Sequence, residues 1–249
     1  MTTGLLVTWM MVFLRTLGIF LQLPVLTNRP LPVTVRLGIC LCVATLLSAT
    51  LPEAPVPATL GQLVGTVASE LILGLAMGFV GRLCFGAVEM AGRVIATEIG
   101  VSATPGMGVP EPSQEAIAAM LMTFAVVLFF MFGGHLMMVS ALARSFAWAP
   151  AGAPMFVADA GDTIIRATSR VIELGVRMAA PFIAMNFLVT MTFSILGRVV
   201  PKMNVYLVSF SMRVIAGFTL LASAGALLAR YLYTEFGEVP LRMLELTTR

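Results

Sequence analysis

The chain has 249 residues, of which 59% are hydrophobic and 11% charged, against about 25% charged in an ordinary soluble domain. A soluble globule needs a charged exterior, so these figures exclude that class; they also exclude a disordered chain, and three cysteines exclude a disulfide scaffold. The net charge of +3 is dispersed, which leaves no basic patch for nucleic acid and points to a chain that lives in or against a membrane.

The start, Met1–Met11, has no positive n-region, and Arg15 interrupts its apolar run, so it reads as a retained helix and not a cleaved signal peptide. The first apolar segment covers about Gly4–Leu23 and ends at Pro24, followed by a proline-rich link from Leu26 to Pro32. The second covers about Val33–Leu51 and is closed by Pro52, Pro55 and Pro57. The third, about Ala58–Phe85, carries Gly61/Gly65 and Gly74/Gly78, small-residue pairs that let helices approach closely. A fourth helical piece covers about Gly86–Ile99.

The clear interruption comes next. Gly100 leads into Val101, Ser102, Ala103, Thr104, Pro105, Gly106, Met107, Gly108, Val109, Pro110, Glu111 and Pro112, and Ser113 offers a helix N-cap. Neither helix nor strand persists through so many prolines and glycines. Two readings stand: an ordinary surface turn, or a loop held in a protein cavity or pore, where irregular backbone at membrane depth is tolerated.

The fifth helix spans Ala116–Ala143, with a kink expected at Gly133-Gly134. Trp148 is a candidate interface anchor, and Ala151–Gly161 reads as a loop. Asp162 is expected to cap a helix whose first half bears Arg166, Arg170, Glu173 and Arg177 on one face. Its apolar run continues to Gly197 and bends at Pro181. A basic turn, Arg198–Lys202, precedes a last helix over about Val205–Tyr233 that contains Arg213, and a tail of mixed charge follows. The fold class is all-α: an integral membrane-derived protein of long kinked helices and hairpins.

Ala116–Ala143 and Met178–Gly197 are free of charge, whereas Arg15, Glu70, Arg82, Glu89, Arg93, Glu98 and Arg213 cut the other apolar stretches. A central charge facing lipid costs about 2.5–3.5 kcal/mol even on insertion scales. The charges therefore line an aqueous path, as in a secondary transporter, or face neighbouring subunits of an assembly. Glu89 with Arg93 and Glu173 with Arg177 have the favourable four-residue spacing.

Enzyme chemistry is poorly supported. The single histidine, His135, has no acid nearby on its helix and reads as a packed or hydrogen-bonded residue. Cys40 and Cys42 lack the second cluster a zinc site needs. No nucleophile elbow or phosphate loop is present, so no catalytic residue, metal or cofactor is expected.

Taken in order, the residues resemble the FliR/SctT family of type III export-apparatus membrane proteins. The amino-terminal part of the resemblance is Arg15, Pro24, Pro32 and Arg36, then Glu70–Phe79, Ala91-Gly92 and Gly100. Gly134-His135, Ser145-Phe146, Pro150 and Gly152 follow, then Arg198–Tyr206, Arg213 and Gly217. Lys202 stands where the family usually has Gln. Gly-His with Ser-Phe tilts the resemblance to the flagellar branch over the virulence injectisome.

The resemblance implies a subunit that assembles with FliP-type and FliQ-type chains into a helical, closed export gate, with an FlhB-type chain at its entrance and unfolded substrates passing through. It implies a FliP-like part over 1–160 and a FliQ-like hairpin over 161–249. The positions matching the family's channel plug are Val101–Pro112. Arg15, Glu70, Glu89, Arg93, Arg198, Asn204 and Arg213 then read as subunit-assembly residues. The location implied is the bacterial inner membrane, in the flagellar basal body.

Overall fold

The computed structural model describes residues 3–23, 32–101, 112–152, 160–200 and 204–247; for 112–115 and 160 the backbone alone is described. Among these residues every regular element is a helix. Helix α1 is Thr3–Gln22, α2 is Val33–Ser48 and α3 is Leu60–Ile99. They are followed by α4 (Pro112–Met131), α5 (Gly134–Trp148), α6 (Ala160–Val199) and α7 (Val205–Glu245).

Local chemistry sets the ends of these helices. Pro32, extended at φ −53° and ψ 139°, precedes α2 and suits a helix start because proline has no donor to lose. Gly100 ends α3 in a left-handed conformation at φ 88°. Its N–H donates to the Thr97 carbonyl and the Val101 N–H donates to that of Ala96, the paired closure that satisfies the last carbonyls of a helix. Gly133, at φ 70°, separates α4 from α5, so the kink expected there is a full break. Asn204 Oδ1 accepts the Leu207 N–H at 3.3 Å and caps α7.

Four of the described helices, α1, α3, α6 from Gly161 and α7, are long and apolar enough to cross a membrane. Helices α3 and α6 have 40 residues each and α7 has 41, about 60 Å at ~1.5 Å per residue, twice a hydrocarbon core of about 30 Å. These helices are covered to different degrees within the chain. The most apolar stretch is 44% buried in α1 and 56% in α3, but 11% in α6 and in α7.

Packing divides the chain into two units, each assembled from separated stretches of sequence. One comprises Met1–Cys84, Phe130–Ser169 and Glu235–Arg249. Its core holds Met11, Val12, Ile19, Leu73, Met77, Met138 and Leu142. Within it α1 packs on α2, where the Trp9 indole N–H donates to Thr45 at 3.1 Å. Helix α1 also crosses α3 in backbone contact. A Cβ on Gly18 would lie 2.7 Å from the Gly74 carbonyl carbon, and one on Gly78 would lie 2.8 Å from the Ile19 Cα. The Gly74/Gly78 pair thus serves the close approach expected of it, while Gly61 and Gly65 have open space at the Cβ position.

The other unit comprises Phe85–Phe129 and Arg170–Thr234, around Phe85, Ile95, Ile99, Phe129, Met178 and Phe182. Here α3 meets α4 at Gly92, whose Cβ would fall 2.6 Å from the Ala118 Cα.

Several boundaries differ from the sequence reading. The third and fourth segments are one helix, because Gly86 sits inside α3, and an interior glycine costs only about 1 kcal/mol. Asp162 lies in the first turn of α6 and not at its cap, where its charge still favours the positive helix end. Helix α7 continues to Glu245 through Pro240, so the mixed-charge tail is mostly helical. Pro112 begins α4, which places Ser113 inside the helix.

Candidate functional site

The polar centre of the first unit grows from the crossing of α1 and α3. A Cβ on Gly74 would sit 2.9 Å from the Arg15 Cα, so the α1 backbone at Arg15 lies directly on α3. Glu70, one turn before Gly74, is thereby brought alongside the Arg15 side chain. The Arg15 Nε–H donates to Glu70 Oε2 at 2.7 Å, with both side chains fully buried.

The rest of the guanidinium is satisfied by α5 and the turn after it. Nη1 donates to Ser145 Oγ and Nη2 to the Ala149 carbonyl, each at 3.0 Å. The Arg15 Cζ stands 3.9 Å from the centre of the Phe146 ring. On the opposite side, Glu70 Oε1 accepts the Gly152 N–H at 2.9 Å. Gly152 has φ 84°, a conformation that glycine adopts without strain and that turns its N–H toward the carboxylate. Ser145 Oγ donates onward to the Leu142 carbonyl at 2.7 Å.

The planar guanidinium suits this role because it carries several donors in a fixed fork. A buried ion pair of this kind gains little over an apolar core, yet removing one partner costs about 3–5 kcal/mol, since the other charge is left unpaired. The arrangement holds no nucleophile with a base. Its chemistry is to tie α1, α3 and α5 together and to fix the turn at 149–152.

Among the remaining residues singled out in the sequence, the structure joins two pairs. Arg93 donates to Glu89 at 2.7 Å, and both side chains are exposed. Arg177 and Glu173 pair likewise at 2.6 Å. Such surface pairs contribute about 0–1 kcal/mol. Arg198 and Asn204 are exposed, and Arg213 is half-buried. Of the expected plug, Val101 lies in the turn that closes α3 and Pro112 is the first residue of α4, while 102–111 lie outside the described residues. His135 is exposed at the start of α5, its ring 5.2 Å from that of Phe130, so of the two expectations for it burial in the interior is not met.

Sequence reasoning missed two further polar groups. Asn186 of α6 donates to Glu98 of α3 at 2.6 Å, and Thr190 donates to the same Asn186 at 3.3 Å. A separation of 88 residues hides the first contact. Near the end of α7, Arg242 holds Glu235 at 3.0 Å and also Glu238. The spacing of three and four residues along one helix face was the signal available for that cluster.

Comparison with known proteins gives these features a setting. The family described as bacterial export proteins, family 1, matches residues 6–239. The flagellar biosynthetic protein FliR of Escherichia coli (strain K12) is 26% identical over 227 residues, 91% of this chain and 87% of that protein. The FliR of Caulobacter vibrioides is 28% identical over 218 residues, 85% and 86% of the two chains. The Yop proteins translocation protein T of Yersinia pestis is 26% identical over 213 residues, 84% and 82%.

Proposed function

We propose, on the premise that the chain belongs to the bacterial export proteins, family 1, that it is a structural and gating subunit of a flagellar type III protein export gate. The observation that carries the reading is the family match over residues 6–239, joined by similarity to FliR proteins over most of the chain. The partners are FliP-type and FliQ-type subunits, an FlhB-type subunit and the unfolded proteins in transit, in the bacterial inner membrane at the flagellar basal body. The division into a FliP-like 1–160 and a FliQ-like 161–249 belongs to the same reading, and the role is that of a channel component and not of an enzyme.

Apolar surface supports an assembly. Helices α6 and α7 leave most of their apolar stretch uncovered by their own chain, which suits contact with other apolar helices. In this reading the exposed Glu89, Arg93, Arg198 and Asn204, with the half-buried Arg213, contribute to subunit contacts. Arg15 and Glu70 act on assembly by holding the fold that presents them. The segment Val101–Pro112 plugs the channel until a substrate displaces it.

Deleting Thr104–Pro110 is expected to raise ion leakage through the assembled complex, measured as conductance or dye flux in vesicles. Unchanged leakage from a fully assembled complex would refute the plug. The similarity to the Yersinia translocation protein favours a second reading, the equivalent subunit of a virulence injectisome. Restoring swimming in a strain lacking FliR, as against restoring effector secretion in a strain lacking the injectisome subunit, separates the two.

A further inference from the structure

The part of α6 that belongs to the second unit carries the charge-free stretch Met178–Gly197, set between Arg177 and Arg198. The helix is continuous through it. Ile183, Phe187, Met191 and Ile195 follow one another by four residues, and Leu188 lies seven before Ile195, so the five share one broad face. All are open: Ile183 is 39% exposed, and Phe187, Leu188, Met191 and Ile195 are 50% exposed or more. The opposite face is the packed one, with Met178, Ala179 and Phe182 buried.

The two arginines stand on that same open face. Arg198 follows Ile195 by three residues, and Arg177 precedes Leu188 by eleven, three full turns. Both are exposed. They lie about 30 Å apart along the axis at ~1.5 Å per residue, the thickness of a hydrocarbon core. Beyond Arg177 the face turns polar at once, since Glu173 pairs with Arg177 at 2.6 Å and with Arg170 at 3.8 Å. Inside the stretch, Asn186 turns to its own fold and donates to Glu98 of α3 at 2.6 Å. The exposed Thr192 donates to the Leu188 carbonyl of its own helix at 2.8 Å, as suits a hydroxyl where water is absent.

We propose that this face of α6 is a lipid contact: bilayer acyl chains cover Ile183, Phe187, Leu188, Met191 and Ile195, and Arg177 and Arg198 hold phospholipid phosphates of the two leaflets. The separation and sign of the charges argue the occupant. An arginine at the edge of an apolar band lays its stem in the apolar layer and reaches with its head for the polar one, and the two headgroup layers stand one hydrocarbon thickness apart. A protein helix laid on the same face would require neither that spacing nor a positive charge at both ends. The contact needs only a chain that lies in a membrane, and not the gating role. It leaves other subunits the apolar surface outside this face, with Arg198 at the lipid edge of their contact.

The test uses the full-length chain co-expressed with its membrane partners, recovered by a tag and returned to vesicles of phosphatidylethanolamine and phosphatidylglycerol. A photo-cross-linking residue at Phe187, and in a second preparation at Met191, is expected to label lipid. Arg177→Gln and Arg198→Gln are each expected to weaken the binding of one phosphatidylglycerol about fivefold, read by native mass spectrometry, the factor one arginine contributes at an anionic membrane surface. Arg177→Lys and Arg198→Lys are expected to keep most of that binding, and the yield of assembly is expected to stay at the wild-type level in all four variants.

Labels from Phe187 and Met191 that fall on protein alone would overturn the proposal and leave the subunit reading standing. So would unchanged lipid binding in both glutamine variants, or a loss of assembly in them with lipid binding intact. A wild-type chain recovered as a lone species that still labels lipid from both positions would instead overturn the subunit reading and leave this contact in place.

Discussion

Two single residues carry an unusual share of the fold. Arg15 and Glu70 reach each other through a crossing so close that glycine occupies both sides of it. Glu70→Gln keeps the shape but leaves the buried guanidinium without its counter-charge, and is expected to cost about 3–5 kcal/mol. An Arg15→Met, Glu70→Leu double variant removes both charges and is expected to cost less than Glu70→Gln alone. Thermal melting of the detergent-solubilised chain checks both; a double variant that melts below the single would refute the argument. The cysteines give a second prediction at this scale. Cys42 is exposed and Cys40 buried, on the short helix α2, and burial pushes the Cys40 thiol up to about 11. Because the thiolate is the nucleophile, maleimide at neutral pH is expected to label Cys42 and spare Cys40, with Cys40 labelling gaining only as pH rises toward 11. Equal labelling of the two at neutral pH would contradict this placement.

Among the elements, the crossing of α1 with α3 is the most constrained. A methyl group at Gly74 meets the Arg15 backbone, and backbone cannot rotate aside. Gly74→Ala is therefore expected to destabilise the chain by about 1–3 kcal/mol, as overpacking does. Gly61→Ala meets open space and is expected to raise helix stability by up to about 1 kcal/mol. The two melting temperatures measured side by side decide it, and an unchanged melt for Gly74→Ala would show that the backbones are not in contact. The same reasoning explains why Gly86 and Pro181 leave α3 and α6 continuous. Each disturbs one turn of a helix that dozens of other backbone bonds maintain, whereas the clustered prolines and glycines after Gly100 remove several consecutive bonds at once.

As a whole molecule, the chain keeps its polar knot inside and leaves apolar helix faces outside. A soluble monomer would do the reverse with its apolar surface. Loss of the 104–110 segment, part of the proposed plug, acts at this scale. Its removal is expected to leave assembly intact and change conductance alone. The same deletion would change assembly yield and not conductance if the segment served as a subunit contact, so both are measured on one preparation.

Much of this protein follows from its sequence alone. Composition and the missing charges over Ala116–Ala143 and Met178–Gly197 require long apolar helices, because backbone groups in an apolar medium must bond within their own segment. The residues that carry the family resemblance, Arg15, Glu70, Ser145-Phe146 and Gly152, were legible too, but as separate marks along the chain. Only the tertiary structure decided that they meet at one buried knot, since contacts 55, 82 and 130 residues apart leave no periodic trace in a sequence. It also decided which glycine pair is in use and which charges are paired at the surface. Those outcomes depend on which helix faces come together, and helical period specifies a face without naming what covers it.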